Sequence, residues 1–252
     1  MRVFRHELKG ELLLYTRSRE LAFFTFLLPL IFFLLLASVY GNDRIKSEGN
    51  VRSAPFLQAG MIGYGAISIA FAGLAIVLVI RRESGILKRL RATPLTAPEY
   101  VSALLSTFLA AFAVQVVGLL VLGRAFFSVP FPHHAVSLVL ALLLGALAFC
   151  GLGIGLTSLI KSAEGASAVV NAIYLPTAFI SGAFFSPNSY PAFLRAIADV
   201  LPLTYFLRLI RNVMLHGHEI WSQGTNVAVV AAWGVVGLIV ALRSFRWEPT
   251  EG

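Results

Sequence analysis

Charged residues are scarce in this chain, and cysteine is almost absent. Asp, Glu, Lys and Arg make up 13% of the 252 residues, whereas apolar residues make up 58%. A water-soluble domain of this composition would carry more apolar surface than one core can bury. The single cysteine, Cys150, excludes a disulfide framework and a cysteine-ligated metal site. These scarcities indicate a chain that folds in a lipid bilayer.

Three further absences narrow the function. No acidic residue lies deep in an apolar run, which argues against proton-coupled antiport. No G-x-x-x-x-G-K-[ST] phosphate loop is present, so an ATP-driven function would need a separate subunit. The histidine pairs at 133–134 and 216–218 have no carboxylate or cysteine cluster nearby in the sequence, and we expect no metal site.

Six apolar runs are long enough to cross a bilayer. A hydrocarbon core of about 30 Å requires about 20 mostly apolar residues in a helix. The runs that satisfy this length are 21–40, 58–80, 100–123, 135–160, 166–185 and 225–242. We therefore predict an all-α membrane protein in which residues 1–252 form a single transmembrane domain.

The distribution of lysine and arginine predicts the orientation. With six spans both termini face the same side, and that side carries 13 of the 20 basic residues, against 7 on the other. The positive-inside rule then predicts that both termini lie in the cytoplasm. The chain is thus expected to be a multi-pass protein of the inner (plasma) membrane. Because the basic residues flank the apolar runs, we assign the net charge of +8 to contact with membrane lipid, and we expect no nucleic acid.

The segment before the first run predicts an amphipathic helix lying in the membrane interface. Phe4, Leu8, Leu12 and Tyr15 share one helical face, and most of the basic residues lie opposite. Glu11 interrupts the edge of this apolar face. An ordinary charged N-terminal tail is the alternative.

The polar segment 81–98, between the second and third runs, predicts a short helix held between two membrane helices. Its apolar stripe consists of Ile86, Leu87 and Leu90, with basic residues beside it. Pro94 then breaks the helix, and Thr96 with Glu99 fits a capping box that starts the third span. The alternative is a basic loop that only sets the orientation.

The run ESGILKRLRATPLT, residues 83–96, resembles the E-x-G-T/I-L-x-R-L-x-x-T/S-P-L-S/T stretch of ABC-2 type permeases, an exporter class that includes many bacterial drug and antibiotic efflux permeases. In that family this loop is the coupling helix that docks on the ATP-binding subunit. The resemblance assigns this docking role to Glu83, Gly85, Leu87, Arg89, Leu90, Thr93 and Pro94. It implies no cofactor in this chain, an ABC ATP-binding subunit that binds ATP and Mg, and a second permease chain in a homo- or heterodimer.

Segment 186–224 is too polar and too rich in proline to span the bilayer. Its apolar residues fit two short interfacial or re-entrant helices, one carrying Phe193 and Ile197 and the next carrying Leu203 and Leu207. The family resemblance suggests an outer gate here, with Leu203, Tyr205, Leu207 and Ile210 as its candidate residues. A solvent-facing loop is the alternative.

Polar residues within the runs are candidates for lining a transport pathway. They are Gln115, Asn171, Thr177 and Ser181. Hydrogen bonding between helices is the commoner reason for isolated polar residues in membrane helices, and we favour it. Gly151, Gly153 and Gly155 in turn predict close packing of the fourth span against its neighbours.

These observations favour the transmembrane permease subunit of an ATP-driven exporter, moving an amphipathic drug, antibiotic or lipid-like compound. Export of a polysaccharide or lipid-linked glycan is an alternative. A channel-like or assembly protein is another. An intramembrane enzyme is a less supported alternative, because the runs contain no paired Asp, no His-Glu motif and no nucleophile with its base.

Overall fold

The computed structural model of the chain describes residues 2–17, 23–90, 96–160 and 162–244. It is about 83% helical. The helices are α1 (Arg2–Arg17), α2 (Leu28–Tyr40), α3 (Ser53–Glu83), α4 (Ile86–Leu90), α5 (Ala97–Phe127), α6 (Ala135–Leu156), α7 (Ala163–Ile180), α8 (Ala192–Ala198), α9 (Pro202–Leu215) and α10 (Gly224–Ser244). The middle of α3, Ala66–Gly73, is π-helical. A two-stranded antiparallel hairpin pairs β1 (Arg44–Ile45) with β2 (Val51–Arg52).

Four helices of the described part are long and apolar enough to cross a membrane. They are Ser53–Glu83, Pro98–Phe127, Ala135–Leu159 and Gly224–Arg243. In its most apolar stretch, 78% of the residues of α3 are buried, against 17% in α10. The helix α3 is therefore the centre of the bundle, and α10 lies at its edge.

Of the other two predicted spans, the first is described from residue 23 onward and combines two kinds of helix, and the fifth ends earlier than expected. The α-helical part of the first, α2, has 13 residues and follows a π-helical turn, Phe23–Leu27; residues 18–22 lie outside the described part. The fifth, α7, has 18 residues and ends at Ile180 instead of at 185. The chain after it enters a turn in which Gly182 has φ +93°, a conformation that ends a helix.

The start of α5 follows from its sequence. The side chain and backbone nitrogen of Thr96 both bond to the carboxylate of Glu99, at 2.8 and 3.0 Å. This is the predicted capping box, and Pro98 follows in the first turn. At its other end α5 closes on Ser128 in the left-handed conformation, with φ 51°.

The fourth span packs closely through its glycines, as predicted. A Cβ at Gly151 would lie 3.3 Å from the carbonyl oxygen of Gly234 in α10. A Cβ at Gly153 would lie 2.7 Å from the carbonyl oxygen of Phe71 in α3, too close for any larger residue. The absence of side chains at these positions lets α6 approach both neighbours at backbone contact.

The outer faces of the long helices are aliphatic. Val114, Val117 and Val121 of α5 are each more than half exposed, and so are Val136 and Leu147 of α6. Apolar faces of this extent on several helices are not stable in water. They fit the acyl chains of a bilayer, so the chain is an all-α membrane protein.

Candidate functional site

The bundle has two ends, named here after a residue at each. The Arg81 end holds α1, α4 and the start of α5. The Glu48 end holds the hairpin, α8 and α9.

At the Arg81 end a buried ion pair joins α1 to α3. Both carboxylate oxygens of Glu11 accept hydrogen bonds from Arg81, at 2.5 and 2.8 Å, and Arg81 also donates to the hydroxyl of Tyr100 at 2.8 Å. Glu11 is 5% exposed. The buried edge of α1 therefore passes through Glu11 and Tyr15, whereas Leu12, on the predicted apolar face, is exposed. Glu11 anchors the helix and does not interrupt its contact face.

The carboxyl of Glu7, one turn before Glu11, lies near the same two charges, those of Glu11 and Arg81. Partial burial raises its pKa above the usual range, and the nearby charge of Glu11 raises it further. The charge of Arg81 partly offsets both effects. Arg81 is thus the cation that compensates two carboxylates of α1.

The neighbouring Arg82 closes the end of α6. Its Nη1 donates to the carbonyl oxygen of Thr157 at 3.0 Å, its Nη2 to that of Ile160 at 2.6 Å, and its Nε to Glu83 at 2.9 Å. The last carbonyls of a helix have no partner within the helix, and a cation there also complements the helix dipole. Arg82, 3% exposed, therefore ties the second predicted span to the fourth.

In the predicted docking loop, some side chains are buried against the bundle and others are exposed. Leu87 is fully buried, whereas Ile86 is 42% exposed, and Lys88 and Arg89 are exposed. This corrects the expectation that Ile86, Leu87 and Leu90 form one exposed stripe, because Leu87 belongs to the chain's own core. The backbone of Leu90 continues α4, but its side chain is not described, and Thr93 and Pro94 lie outside the described residues.

The remaining docking residues have roles within the loop. Glu83 accepts from Arg82 and is 19% exposed. Gly85, with φ +70°, makes the turn between α3 and α4, and its backbone nitrogen donates to the carbonyl of Arg82 at 3.1 Å. The turn sets the direction of α4 relative to α3.

Replacing Gly85 with alanine is expected to destabilise the protein by about 1–2 kcal/mol, because a Cβ is strained at this positive φ even though the surrounding space is open. Asparagine, which tolerates this conformation, should cost less. Thermal unfolding in detergent measures whether the stability falls in the order wild type, Gly85→Asn, Gly85→Ala. The matched control is Gly10→Ala within α1, where alanine favours the helix and should stabilise slightly. Equal effects at both glycines would contradict the role of the turn.

The polar residues within the spans do not converge on one surface. Gln115 is 1% exposed and lies against the backbone of Gly65 in α3, and its amide has no hydrogen-bond partner within the described part of the chain. Asn171 is exposed on α7, and Thr177 donates to the carbonyl of Ile173 in its own helix at 2.7 Å. Ser181 is buried at the Glu48 end, and its hydroxyl has no hydrogen-bond partner among the residues that the structure describes.

Sequence reasoning missed the polar contact that joins the two central helices. Gln58, 0% exposed, donates from α3 to the carbonyl of Leu119 in α5 at 2.7 Å. The feature of the sequence that could have indicated this contact is a polar residue, Gln58, at the start of an apolar run.

Two short helices lie in the segment after α7, as predicted. The apolar side chains of α8, Phe193 and Ile197, are exposed, whereas Leu203, Leu207 and Ile210 of α9 are fully buried. Tyr205 is partly exposed and donates to the carbonyl of Asp199 at 2.9 Å. Three of the four candidate gate residues are therefore core residues, so changing them would disturb the fold itself.

The hairpin is bonded to the segment after α7. The carboxylate of Glu48 accepts hydrogen bonds from the hydroxyl of Ser186 and from Nδ2 of Asn188, the latter at 3.0 Å. Ser189 and Ser47 are in hydroxyl contact at 3.3 Å. These bonds close the Glu48 end between the first and fifth predicted spans.

Beneath this closure lies a buried arginine. Nη2 of Arg211 donates to the carbonyl oxygen of Gly182 at 2.5 Å, and its guanidinium carbon lies 3.6 Å from the centre of the Phe56 ring. Burial lowers the pKa of Arg211 to about 9, and the charge of Glu48 opposes this effect. Arg211 was not among the predicted site residues. The feature in the sequence that could have indicated it is a charged residue among the apolar residues of α9.

Comparison with known proteins gives a consistent result. The family described as ABC-2 type transporter matches residues 2–215. The chain is 27% identical over 201 residues to the probable multidrug ABC transporter permease YbhS of Escherichia coli K12, which covers 74% of this chain and 50% of that protein. The chain thus spans about half the length of that relative.

Two other relatives agree. The inner membrane transport permease YadH of Escherichia coli K12 is 25% identical over 228 residues, which covers 87% of this chain and 84% of that protein. ABC transporter G family member 20 of Dictyostelium discoideum is 27% identical over 209 residues, which covers 81% of this chain and 28% of that protein. With the family match covering most of its length, the chain belongs to the ABC-2 type transporter family.

Proposed function

We propose that this chain is the permease subunit of an ATP-driven exporter and that its Arg81 end docks on a separate ATPase, which binds ATP and Mg. The observation that carries the proposal is the short helix α4. Its side chains Ile86, Lys88 and Arg89 point outward, while Leu87 and the Gly85 turn hold it to the bundle.

The proposed topology has six spans, with the Arg81 end in the cytoplasm. The positive-inside count supports this orientation. The helices α2 and α7 are the two short spans, with about 1.5 Å of rise per residue. An 18-residue helix such as α7 then extends about 27 Å, close to the hydrocarbon thickness of about 30 Å.

A second permease chain completes the translocator in this proposal. Asn171 is exposed midway along α7, with Ile173 and Leu175 exposed nearby. An amide facing acyl chains is unfavourable, whereas an amide facing a second helix or a polar cavity is not. The face of α7 that carries Asn171 is therefore the proposed side for the partner chain and the pathway, with Thr177 beside it.

The proposed substrate is an amphipathic compound such as a drug, antibiotic or lipid-like molecule. The name of YbhS describes a probable multidrug permease, which supports this class. The segment 186–224 is the proposed outer gate. Opening it would break the bonds from Ser186 and Asn188 to Glu48.

The docking proposal is tested with Ile86→Asp combined with Arg89→Glu. Both side chains are exposed, so the permease is expected to insert and fold normally. Wild-type chain purified in mild detergent from its native membranes should bring down an ABC ATPase, identified by mass spectrometry. The double variant should lose it, because the apolar contact is replaced by a charge and the basic contact is reversed.

The matched control is Lys9→Glu, which reverses an exposed charge on α1 at the same end of the bundle. It should retain the ATPase. Leu87→Asp is unsuitable for this purpose, because a charge at that buried position would unfold the end of the bundle. If the double variant still copurifies with the ATPase, α4 does not dock the subunit and the proposal is wrong.

A further inference from the structure

The Glu48 end contains a small polar cavity, of about 70 Å³, beneath the proposed outer gate. Ser181, Thr204 and Arg211 form its floor, and all three are more than nine-tenths buried. Arg208, which is partly exposed, and His216, which is exposed, lie at its mouth. A drug-sized ligand needs about 300 Å³ or more, so this cavity fits only a small group.

The three floor residues each have an unused polar atom. The hydroxyl oxygens of Ser181 and Thr204 and the Nε of Arg211 have no hydrogen-bond partner among the described residues. A buried polar atom without a partner costs about 1–3 kcal/mol. Three such atoms around one cavity indicate that something outside the protein chain bonds to them.

The charge of Arg211 is also uncompensated at contact distance. No carboxylate in the described ranges lies within 4 Å of it, and its contacts are the carbonyl of Gly182 and the ring of Phe56. Glu48 lines the same cavity, but it accepts from Ser186 and Asn188. Arg208 is paired with Asp199 at 2.5 Å. A buried cation requires a counter-charge nearby.

We propose that this cavity binds a small anionic group, a phosphate or carboxylate, held by Arg211 with the hydroxyls of Ser181 and Thr204. A guanidinium Nε and two hydroxyls together provide three donors, which match the oxygens of a phosphate or carboxylate. Such a group enters past Arg208 and His216. Two sources have this chemistry: a soluble anion, and the headgroup of an anionic lipid at the membrane surface.

The experiment measures anion binding to the whole chain in phosphatidylcholine nanodiscs, by calorimetric titration with inorganic phosphate at constant ionic strength. Wild type should bind phosphate and show a higher unfolding temperature with it. Thr204→Val, which keeps the shape and removes one donor, should weaken binding about tenfold. Ser181→Ala should act in the same direction.

Two further variants make the test specific. Glu48→Gln removes the negative charge from the cavity wall and should tighten phosphate binding. Arg124→Gln, an exposed arginine that does not line the cavity, should leave it unchanged. A parallel titration in phosphatidylglycerol nanodiscs identifies the source: if the headgroup occupies the cavity, wild type is stabilised by the lipid and Thr204→Val is not.

The proposal is overturned if neither phosphate nor anionic lipid binds or stabilises the wild-type chain. It is also overturned if Thr204→Val and Ser181→Ala bind as tightly as wild type, since the anion would then lie elsewhere. In either case water bridging Arg211 to Glu48 would be the occupant. None of these outcomes depends on an ATPase partner, so they are independent of the docking test.

Discussion

Replacing Arg82 with glutamine is expected to lower the free energy of unfolding by about 3–5 kcal/mol, a large part of the stability of the bundle. The guanidinium is 3% exposed and bonds to the carbonyls of Thr157 and Ile160 and to Glu83. Removing it leaves two buried carbonyl groups without a donor and the carboxylate of Glu83 without its cation. A single amide cannot reach all three.

The measurement is unfolding of the purified chain in mixed micelles with increasing denaturing detergent. Arg82→Lys should give an intermediate loss, because the ammonium keeps the charge but lacks the planar fork that serves both carbonyls. Lys88→Gln is the control, since Lys88 is exposed on the adjacent helix and should change stability little. A loss for Arg82→Gln no larger than for Lys88→Gln would show that the end of α6 does not depend on Arg82.

The second large effect is expected at Glu11. Glu11→Gln should cost about 3 kcal/mol and release α1 from the bundle, because the neutral amide leaves the buried guanidinium of Arg81 without the carboxylate that pairs with it. Limited proteolysis measures the release, since Lys9 and Arg17 on α1 become cleavable when the helix detaches. Stability is measured in parallel by detergent unfolding.

A double-mutant cycle separates the pair from the individual changes. Adding Arg81→Gln to Glu11→Gln should recover part of the loss, because the two amides can bond without a buried charge. The coupling energy should then be on the order of 1–3 kcal/mol. His6→Gln, an exposed change on the same helix, is the control for nonspecific effects on α1. Additive effects of the two changes would mean that the pair does not anchor the helix.

Several local features followed from short stretches of sequence. The capping box of Thr96 with Glu99 involves two residues three positions apart, so it depends only on the backbone of one helix turn. The glycines of α6 were correctly assigned to close packing, because a glycine in a membrane helix allows the backbone of a neighbouring helix to approach closely. The family membership was likewise readable from segment 83–96, a continuous motif.

Other expectations failed because they depended on packing between distant segments. Leu87 and Ile86 are adjacent aliphatic residues in a short polar segment, and the sequence did not distinguish the buried one from the exposed one. A helix of five residues has too few turns for its periodicity to define a face, so the Gly85 turn and the packing of α3 decide it. The end of the fifth span was also misjudged, because composition does not show that the chain turns at Gly182 before the apolar run is finished.

The sequence by itself determined the class of protein and the position of the apolar helices, because the bilayer requires long apolar runs with all backbone groups bonded within the helix. Only the tertiary structure decided the partners of the charged and polar residues. Glu11 meets Arg81 across 70 positions, and Arg82 meets Ile160 across 78. Such pairs form because a buried charge must find a partner in space, and the partner available depends on how the helices pack.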